Sequence, residues 1–320
     1  MRYFLAIDAG GTKTDAVVFD ETGHIIYRDL SAGNNGMDIG QEAAIQRLLD
    51  VLERTSKAAP EKFTAMYGGI AGVMPLGDFY SPAVLPKNYA DSVRFEDDGR
   101  ALISSTVDPS VDACGMVCGT GCSLYVRQTG EPLRKIGGKG YLIDTGGSGF
   151  ELGRDAIAAA FRYAERRTGH TVLYDLIREQ MGCEPEFWQR AIYHPVTGGR
   201  AYIASFARYV FEAYRMGDWA ARELFDKGSS AMADLTFAAA TYFKEEFPVV
   251  MSGGMVTNFP EYAHAIQAKS HVNAKLILAD APPVYGAAVE ALADGGLTAD
   301  ASFRTTFLTD YDLWVAKSSK

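Results

Sequence analysis

No stretch of the 320-residue chain approaches the roughly 18 consecutive apolar residues of a membrane-spanning helix. The N-terminal apolar run over residues 4–7 stops at Asp8, too short for the core of a secretory signal. Cysteine is scarce: Cys114, Cys118, Cys122 and Cys183 do not make a disulfide framework in a chain of this length, and no C-x-x-C pair points to zinc. The five histidines, His24, His170, His194, His264 and His271, form no spaced cluster. No basic block, low-complexity segment or charged tail is present. With 31 Lys and Arg against 40 Asp and Glu, the net charge of −9 argues against nucleic acid and membrane surfaces as partners. An acidic chain still holds small anions well, through backbone N–H groups and a bound cation. Neither GxxxxGK[ST] nor a G-x-G-x-x-G joining strand to helix occurs, so the two best-known nucleotide loops are excluded. The expectation from these absences is a cytoplasmic protein working on small molecules.

Glycine is what the chain has in plenty, 33 residues, and it is clustered. The continuous apolar run over 3–8 reads as a strand buried on both faces. Strands follow at 15–20 and 24–29, a helix at 41–54 with one apolar face, and a short strand at 63–67. The plan then restarts, with strands at 113–118, 123–128 and 132–136, a Gly-rich stretch at 137–149, and helices at 150–163, 203–214 and 219–243. Strands at 248–251 and 275–278 and a helix at 284–292 close it. Residues 6–19 and 115–126 share a layout of strand, glycine turn, strand, which points to structural duplication within an α/β fold. The tail 293–320 carries Phe303, Phe307, Tyr311 and Trp314 and is expected to dock on the body or on another subunit.

Three glycine loops each follow an apolar strand: DAGGTKT (8–14), CGTGCS (118–123) and SGGMV (252–256). Glycine lets the backbone approach a ligand, and the Thr and Ser hydroxyls donate to phosphate oxygens. The first two loops join strand to strand, as two hairpins gripping a phosphate chain would. Glycines also serve simply as turns, but three such loops, two of them opening duplicated halves, favour anion binding. Asp8 ends a buried strand and faces the first loop, where a carboxylate suits Mg²⁺ beside phosphates and also suits a turn cap. Lys13 fits a phosphate contact or a solvent-facing position equally well.

In order along residues 1–292, AIDAGGTKT, GGIAGV, CGTGCS, GGKGYLIDTGGSG, SGGMV and PPVYGAAVEAL resemble the BadF/BadG/BcrA/BcrD ATPase family, and especially its N-acetylglucosamine kinase branch. The resemblance implies duplicated ribonuclease-H-like (actin-like ATPase) domains with a cleft between them. It implies an N-terminal domain of residues 1–106 plus the tail 293–320, and a second domain of 107–292 with a helical insertion at about 150–245. It implies an ATP- and Mg²⁺-dependent kinase acting on a sugar hydroxyl, with an amino sugar such as N-acetylglucosamine or glucosamine as acceptor. Gly10, Gly11, Thr12, Lys13 and Thr14 would form one phosphate loop and Gly119, Thr120, Gly121 and Ser123 the other. Gly253, Gly254 and Met255 would lie near adenosine, and Asp8 would serve the metal.

By the same resemblance the catalytic base is an Asp at a helix start, which is Asp98 in RFEDDGRAL, with Asp97 as the alternative. An acidic helix start is also favoured by the helix dipole alone. Asn35, with Gly40 five residues on, matches a sugar-contacting element, with Asn34 as the alternative, and Thr120 matches a residue touching sugar and phosphate. The stretch 137–149 departs from the family pattern GGWGxxxGDEGSG: Lys139 replaces Trp, and Thr145 and Gly146 replace Asp-Glu. Lys139, Gly140, Asp144 and Thr145 are the substrate-side candidates there, with Asp144 one position before the lost pair. Lys139 adds a charge that suits an acidic sugar or simple exposure. Two other readings remain open. One is an ATPase driving a partner enzyme through an iron–sulfur cluster bridging a homodimer. The other is a nucleotide-binding regulator without an acceptor. A homodimer is compatible with the resemblance, though no interface is readable in the sequence.

Overall fold

Phe4, Leu5, Ala6 and Ile7 are all fully buried, and they alternate between two separate apolar clusters. The run is therefore the central strand of a sheet covered on both faces, as a continuous apolar segment requires. A computed structural model describes residues 1–72, 89–144, 146–194 and 199–318 of the chain. It begins with β1 (Tyr3–Ala9), β2 (Lys13–Asp20), β3 (Ile25–Ala32), α1 (Gly36–Ile39), α2 (Gln41–Ala58), β4 (Phe63–Ile70), β5 (Ala90–Glu96) and α3 (Gly99–Ser104). Next come β6 (Ala113–Cys118), β7 (Cys122–Arg127), β8 (Arg134–Ile136), α4 (Gly149–Ala164), α5 (Val172–Met181), α6 (Pro185–Ile192), α7 (Arg200–Ser205), α8 (Ala207–Arg215) and α9 (Trp219–Ala240). The chain ends with β9 (Phe247–Ser252), α10 (Gly254–Thr257), α11 (Pro260–Lys269), β10 (Ala274–Leu278), α12 (Pro283–Asp294) and α13 (Ala301–Ser318).

The two sheets have one topology. The first runs β3-β2-β1-β4-β5 and the second β10-β9-β6-β7-β8, so the strands of each half take the same order when counted from its first strand. In each, an antiparallel three-stranded meander is extended by two parallel strands. This is the duplication expected from the repeated strand–turn–strand layout.

The chain divides into Met1–Asp112 with Ala279–Lys320, and Ala113–Leu278. The expected boundaries, 106/107 and 292/293, therefore need correction at both ends. The physical reason at the second is α12. Its small residues bury against β1, β4 and α3, and a Cβ at Gly286 would lie 1.8 Å from the Ala101 carbonyl oxygen. The helix belongs to the first unit because this backbone-close packing seats it on one face of that unit's sheet.

The tail forms α13, and it docks on the first unit as its aromatics require. Phe303, Phe307 and Tyr311 recur every four residues on one face, and all are buried. Phe307 meets Phe19 at 5.6 Å and Tyr285 at 5.5 Å between ring centroids. Phe307→Ala should cost about 3–5 kcal/mol of stability, read from a urea midpoint shift. An unchanged midpoint would show that α13 contributes nothing to the unit.

In the second unit one apolar cluster joins the sheet to α4 through α11, with Trp188, Phe206 and Phe211 fully buried within it. The helix expected over 203–214 is broken at Phe206 into α7 and α8. Among the described residues no helix is long and apolar enough to cross a membrane.

Candidate active site

In the first unit, β1, β4 and β5 run parallel, so their carboxyl ends share one edge of the sheet. Asp8 is in register with Gly69, and Gly69 with Glu96. Asp97 and Asp98 follow at once. At about 4.8 Å per strand, Asp8 and the end of β5 stand ~10 Å apart along that edge. This is where open parallel sheets place their ligand sites.

The loop between β1 and β2 lies at the same edge. The Gly10 N–H donates to Lys13 O at 2.9 Å, and the Gly10 carbonyl accepts from Asn34 N–H at 2.9 Å. In a trans peptide the N–H points opposite to the carbonyl, so the Gly11 N–H is turned away from Asn34. A Cβ at Gly33 would meet Gly11 O at 2.3 Å, so the 33–34 backbone braces the loop from behind. Gly11 and Thr12 are exposed, and Lys13 is exposed with a long 3.8 Å approach to Asp15. Thr14 sits apart from them: it is buried, and its hydroxyl donates to Ala32 O at 2.9 Å.

Asp8 faces Asp15 directly across the β1–β2 pair. Asp15 is buried and fully engaged. Arg28 donates to both of its oxygens, at 2.8 and 2.6 Å, and Tyr311 Oη donates at 2.7 Å. Among the described residues Asp8 has no such clamp. Burial and the charge of Asp15, opposed by a weaker pull from Lys13, push its carboxyl up to about 7. A carboxyl held this way gains from a divalent cation, which would replace the missing counter-charge. The donor set therefore fits a magnesium site.

Asp98 is the N-cap residue of α3, half-buried, and its side chain makes no capping hydrogen bond to that helix. Its N–H donates to Asp97 Oδ1 at 3.0 Å, and Asp97 is fully buried. Of the two carboxylates, Asp97 is committed to shaping the turn and Asp98 lies nearer the surface. Asn35 caps α1, its Oδ1 accepting from Met37 N–H at 2.9 Å. Asn34 is buried, and its Oδ1 finds no hydrogen-bond partner among the described residues.

In the second unit the predicted residues converge. Gly119 O accepts from Gly149 N–H at 2.9 Å and Thr120 O from Phe150 N–H at 3.0 Å. Two otherwise orphaned donors at the start of α4 thus pull both loop carbonyls toward the helix. The same peptide geometry turns the Thr120 and Gly121 N–H groups to the opposite side, away from the helix. Ser123 is buried behind them. Gly253 meets the strand end so closely that a Cβ there would lie 2.3 Å from Cys118 O, and Met255 Sδ lies 3.4 Å from the Cβ position of Gly149. Gly254 opens α10 beside them.

The 137–144 loop packs on the same hairpin, with the Cβ position of Gly138 2.8 Å from Cys122 O. Asp144 closes this loop on itself, accepting from Lys139 N–H at 3.2 Å and donating its own N–H to Gly140 O at 2.8 Å. Lys139 and Gly140 are exposed. Thr145 lies outside the described residues. Cys114, Cys118 and Cys122 are buried in the core, where burial pushes the thiols up, Cys122 to about 12. Covered, protonated thiols are poor ligands for a cluster shared with a second subunit.

Sequence reasoning missed Arg200, whose Nη2 lies 2.8 Å from the Cβ position of Gly121. It also missed the Arg28–Asp15–Tyr311 clamp beside Asp8. The clamp had one signal, the Asp8/Asp15 pairing that follows once the hairpin turns at residues 11–12 with Gly10 opposite Lys13; Arg200 had none.

Two sheets of identical topology, each opening on a glycine hairpin, define a duplicated ribonuclease-H-like α/β protein of the actin-like ATPase class. Residues 5–291 match the family model of the BadF/BadG/BcrA/BcrD ATPase family, and the chain belongs to that family. It is 24% identical over 314 residues to an N-acetyl-D-glucosamine kinase of Dictyostelium discoideum, covering 90% of this chain and 97% of the relative. It is 23% identical over 274 residues to an N-acetylmuramic acid/N-acetylglucosamine kinase of Clostridium acetobutylicum, covering 81% and 87%. Its fold matches the crystal structure of a candidate N-acetylglucosamine kinase from Chromobacterium violaceum with a TM-score of 0.72 at 20% identity, over 90% of this chain and 98% of that one.

Proposed function

We propose that this protein is an ATP- and Mg²⁺-dependent kinase that phosphorylates a hydroxyl of an amino sugar. The observation that carries the reading lies in the first unit: a glycine hairpin with an outward N–H, the unclamped Asp8 and the surface-side Asp98 share one sheet edge. Those are an anion cradle, a metal carboxylate and a proton acceptor. The kinase relatives, aligned over most of this chain, support the same reading.

Asp98 accepts the proton of the attacking sugar hydroxyl, and Asp97 holds the turn that presents it. Asp8 holds the magnesium ion, which when bound screens the phosphate charge. Within the first unit Gly10, Gly11, Thr12 and Lys13 form a phosphate loop; within the second, Gly119, Thr120 and Gly121 form another. Thr14 and Ser123, both buried, support the loops from within. Gly253, Gly254 and Met255 border the adenosine side. Asn35, Thr120, Lys139, Gly140, Asp144 and Thr145 serve the sugar.

The test is ADP release from Mg–ATP against N-acetylglucosamine, glucosamine, glucose, N-acetylmannosamine and a uronic acid. An amino sugar should raise turnover at least tenfold, on the order of the separation expected from completing a reactive complex. No stimulation by any member of the panel would overturn the reading.

A further inference from the structure

The anion cradle of the second unit has a cation that belongs to none of its motifs. Arg200 opens α7, about 80 residues after the 119–121 loop, yet its guanidinium lies on that loop. Its Nη2 is 2.8 Å from where a Cβ at Gly121 would stand, so glycine at 121 leaves the room that the guanidinium takes.

Backbone packing puts it there. A Cβ at Gly153 in α4 would lie 2.0 Å from Ile203 O and 3.2 Å from Ala207 N, so α7 and the start of α8 rest directly on α4. The same α4 donates to the loop carbonyls at its first turn, from the N–H groups of Gly149 and Phe150. Loop and arginine are thus referenced to one rigid helix. A shelf completes the arrangement: the guanidinium carbon lies 5.5 Å from the Tyr141 ring centroid, and Tyr141 packs edge-on against Phe150 at 5.1 Å. An aromatic face orients a planar guanidinium from its flat side.

We infer that Arg200 binds the phosphate oxygens of the nucleotide seated on the 119–121 loop, adding a charged fork to the Thr120 and Gly121 N–H donors. The inference rests on the nucleotide reading of that loop proposed above. The chain lacks the lysine of a Walker loop, and the first hairpin offers only Lys13, which lies within 3.8 Å of Asp15. A side chain fixed by helix packing supplies a positive charge that a flexible loop lysine does not.

Calorimetric titration of the full chain with Mg–ATP and, separately, with adenosine tests it. Arg200→Ala should weaken ATP at least tenfold and leave adenosine within twofold, while Arg200→Lys recovers part of the loss. Tyr141→Leu, which removes the shelf and keeps the charge, should weaken ATP by a smaller factor. It also serves as the readout if Arg200→Ala does not fold.

ATP affinity within twofold of wild type in folded Arg200→Ala overturns the inference. So does an equal loss for ATP and adenosine, which would mark a structural role. An effect confined to the KM of a carboxylated sugar overturns it too, and would move Arg200 to the acceptor. Binding needs no acceptor, so the two readings fail separately. A wild-type chain that binds ATP but phosphorylates no sugar loses only the kinase reading.

Discussion

Asp98→Asn should lower sugar-dependent turnover by ~10²–10⁴-fold, the usual contribution of a positioned general base, and leave the KM for ATP within about twofold. The geometry explains why the fold should survive. The backbone at 98 is held without its side chain: Asp97 takes the N–H, the carbonyl accepts from Leu102 N–H at 3.1 Å, and the Cβ position of Gly69 is 3.3 Å from the Asp98 Cα. An amide of the same shape therefore keeps the turn and loses the capacity to accept a proton. Its stability should change by no more than about 1 kcal/mol. Asp97→Asn is the matched control. Its amide oxygen still accepts from the Asp98 N–H, and its buried position keeps it from an acceptor, so turnover should stay within about tenfold of wild type. Steady-state kinetics of both variants decide the assignment. If Asp98→Asn turns over at the wild-type rate, Asp98 leaves the mechanism; if the two variants exchange behaviour, Asp97 is the base.

Much of the architecture was legible because its signals are local. The unbroken apolar run of β1 and the glycine turns after β1 and β6 marked both hairpins and the duplication. What escaped was non-local. In β5 the polar Asp91, Ser92, Arg94 and Glu96 hide an edge strand, because the partners of Arg94 lie some 200 residues away: Glu290 at 2.6 Å and Asp294 at 2.9 Å. The apolar pattern of α12 shows that it is buried but not which sheet it covers. That depends on Gly286 admitting the Ala101 carbonyl, and here the domain boundary moved. The site divides the same way. Asp8, Asp98 and the glycine loops sit in contiguous motifs, whereas Arg200 reaches its loop only because α7 packs on α4 over Gly153.

Asp8→Asn should remove Mg²⁺-dependent turnover, by at least ~100-fold, and at the same time stabilise the protein at alkaline pH. The second effect follows from the folded carboxyl titrating at about 7 against an ordinary value of 3.8. Folding then favours the protonated form, so the contribution of Asp8 to stability declines as pH rises from about 4 to about 7 and is flat beyond. The groups that face it are Asp15 across the strand pair, which raises the value, and Lys13, which lowers it. Arg28 and Tyr311 act through Asp15. Asparagine carries no such dependence. The stability difference between variant and wild type should therefore shift in the variant's favour between pH 4 and pH 8, by as much as ~4 kcal/mol, the free energy of about three pKa units. Saturating Mg²⁺ should narrow that gap at pH 8, because a cation bound only by the folded wild type stabilises it, and should leave Asp8→Asn unmoved. Urea melts at the two pH values, with and without Mg²⁺, read both effects. A gap that ignores pH would show that Asp8 is not held near neutrality, and a gap that ignores Mg²⁺ would remove it as the metal carboxylate. The opposition between the two effects is the expected mark of a site residue: the carboxylate costs stability in the empty fold because its charge is reserved for a cation that the fold does not itself supply.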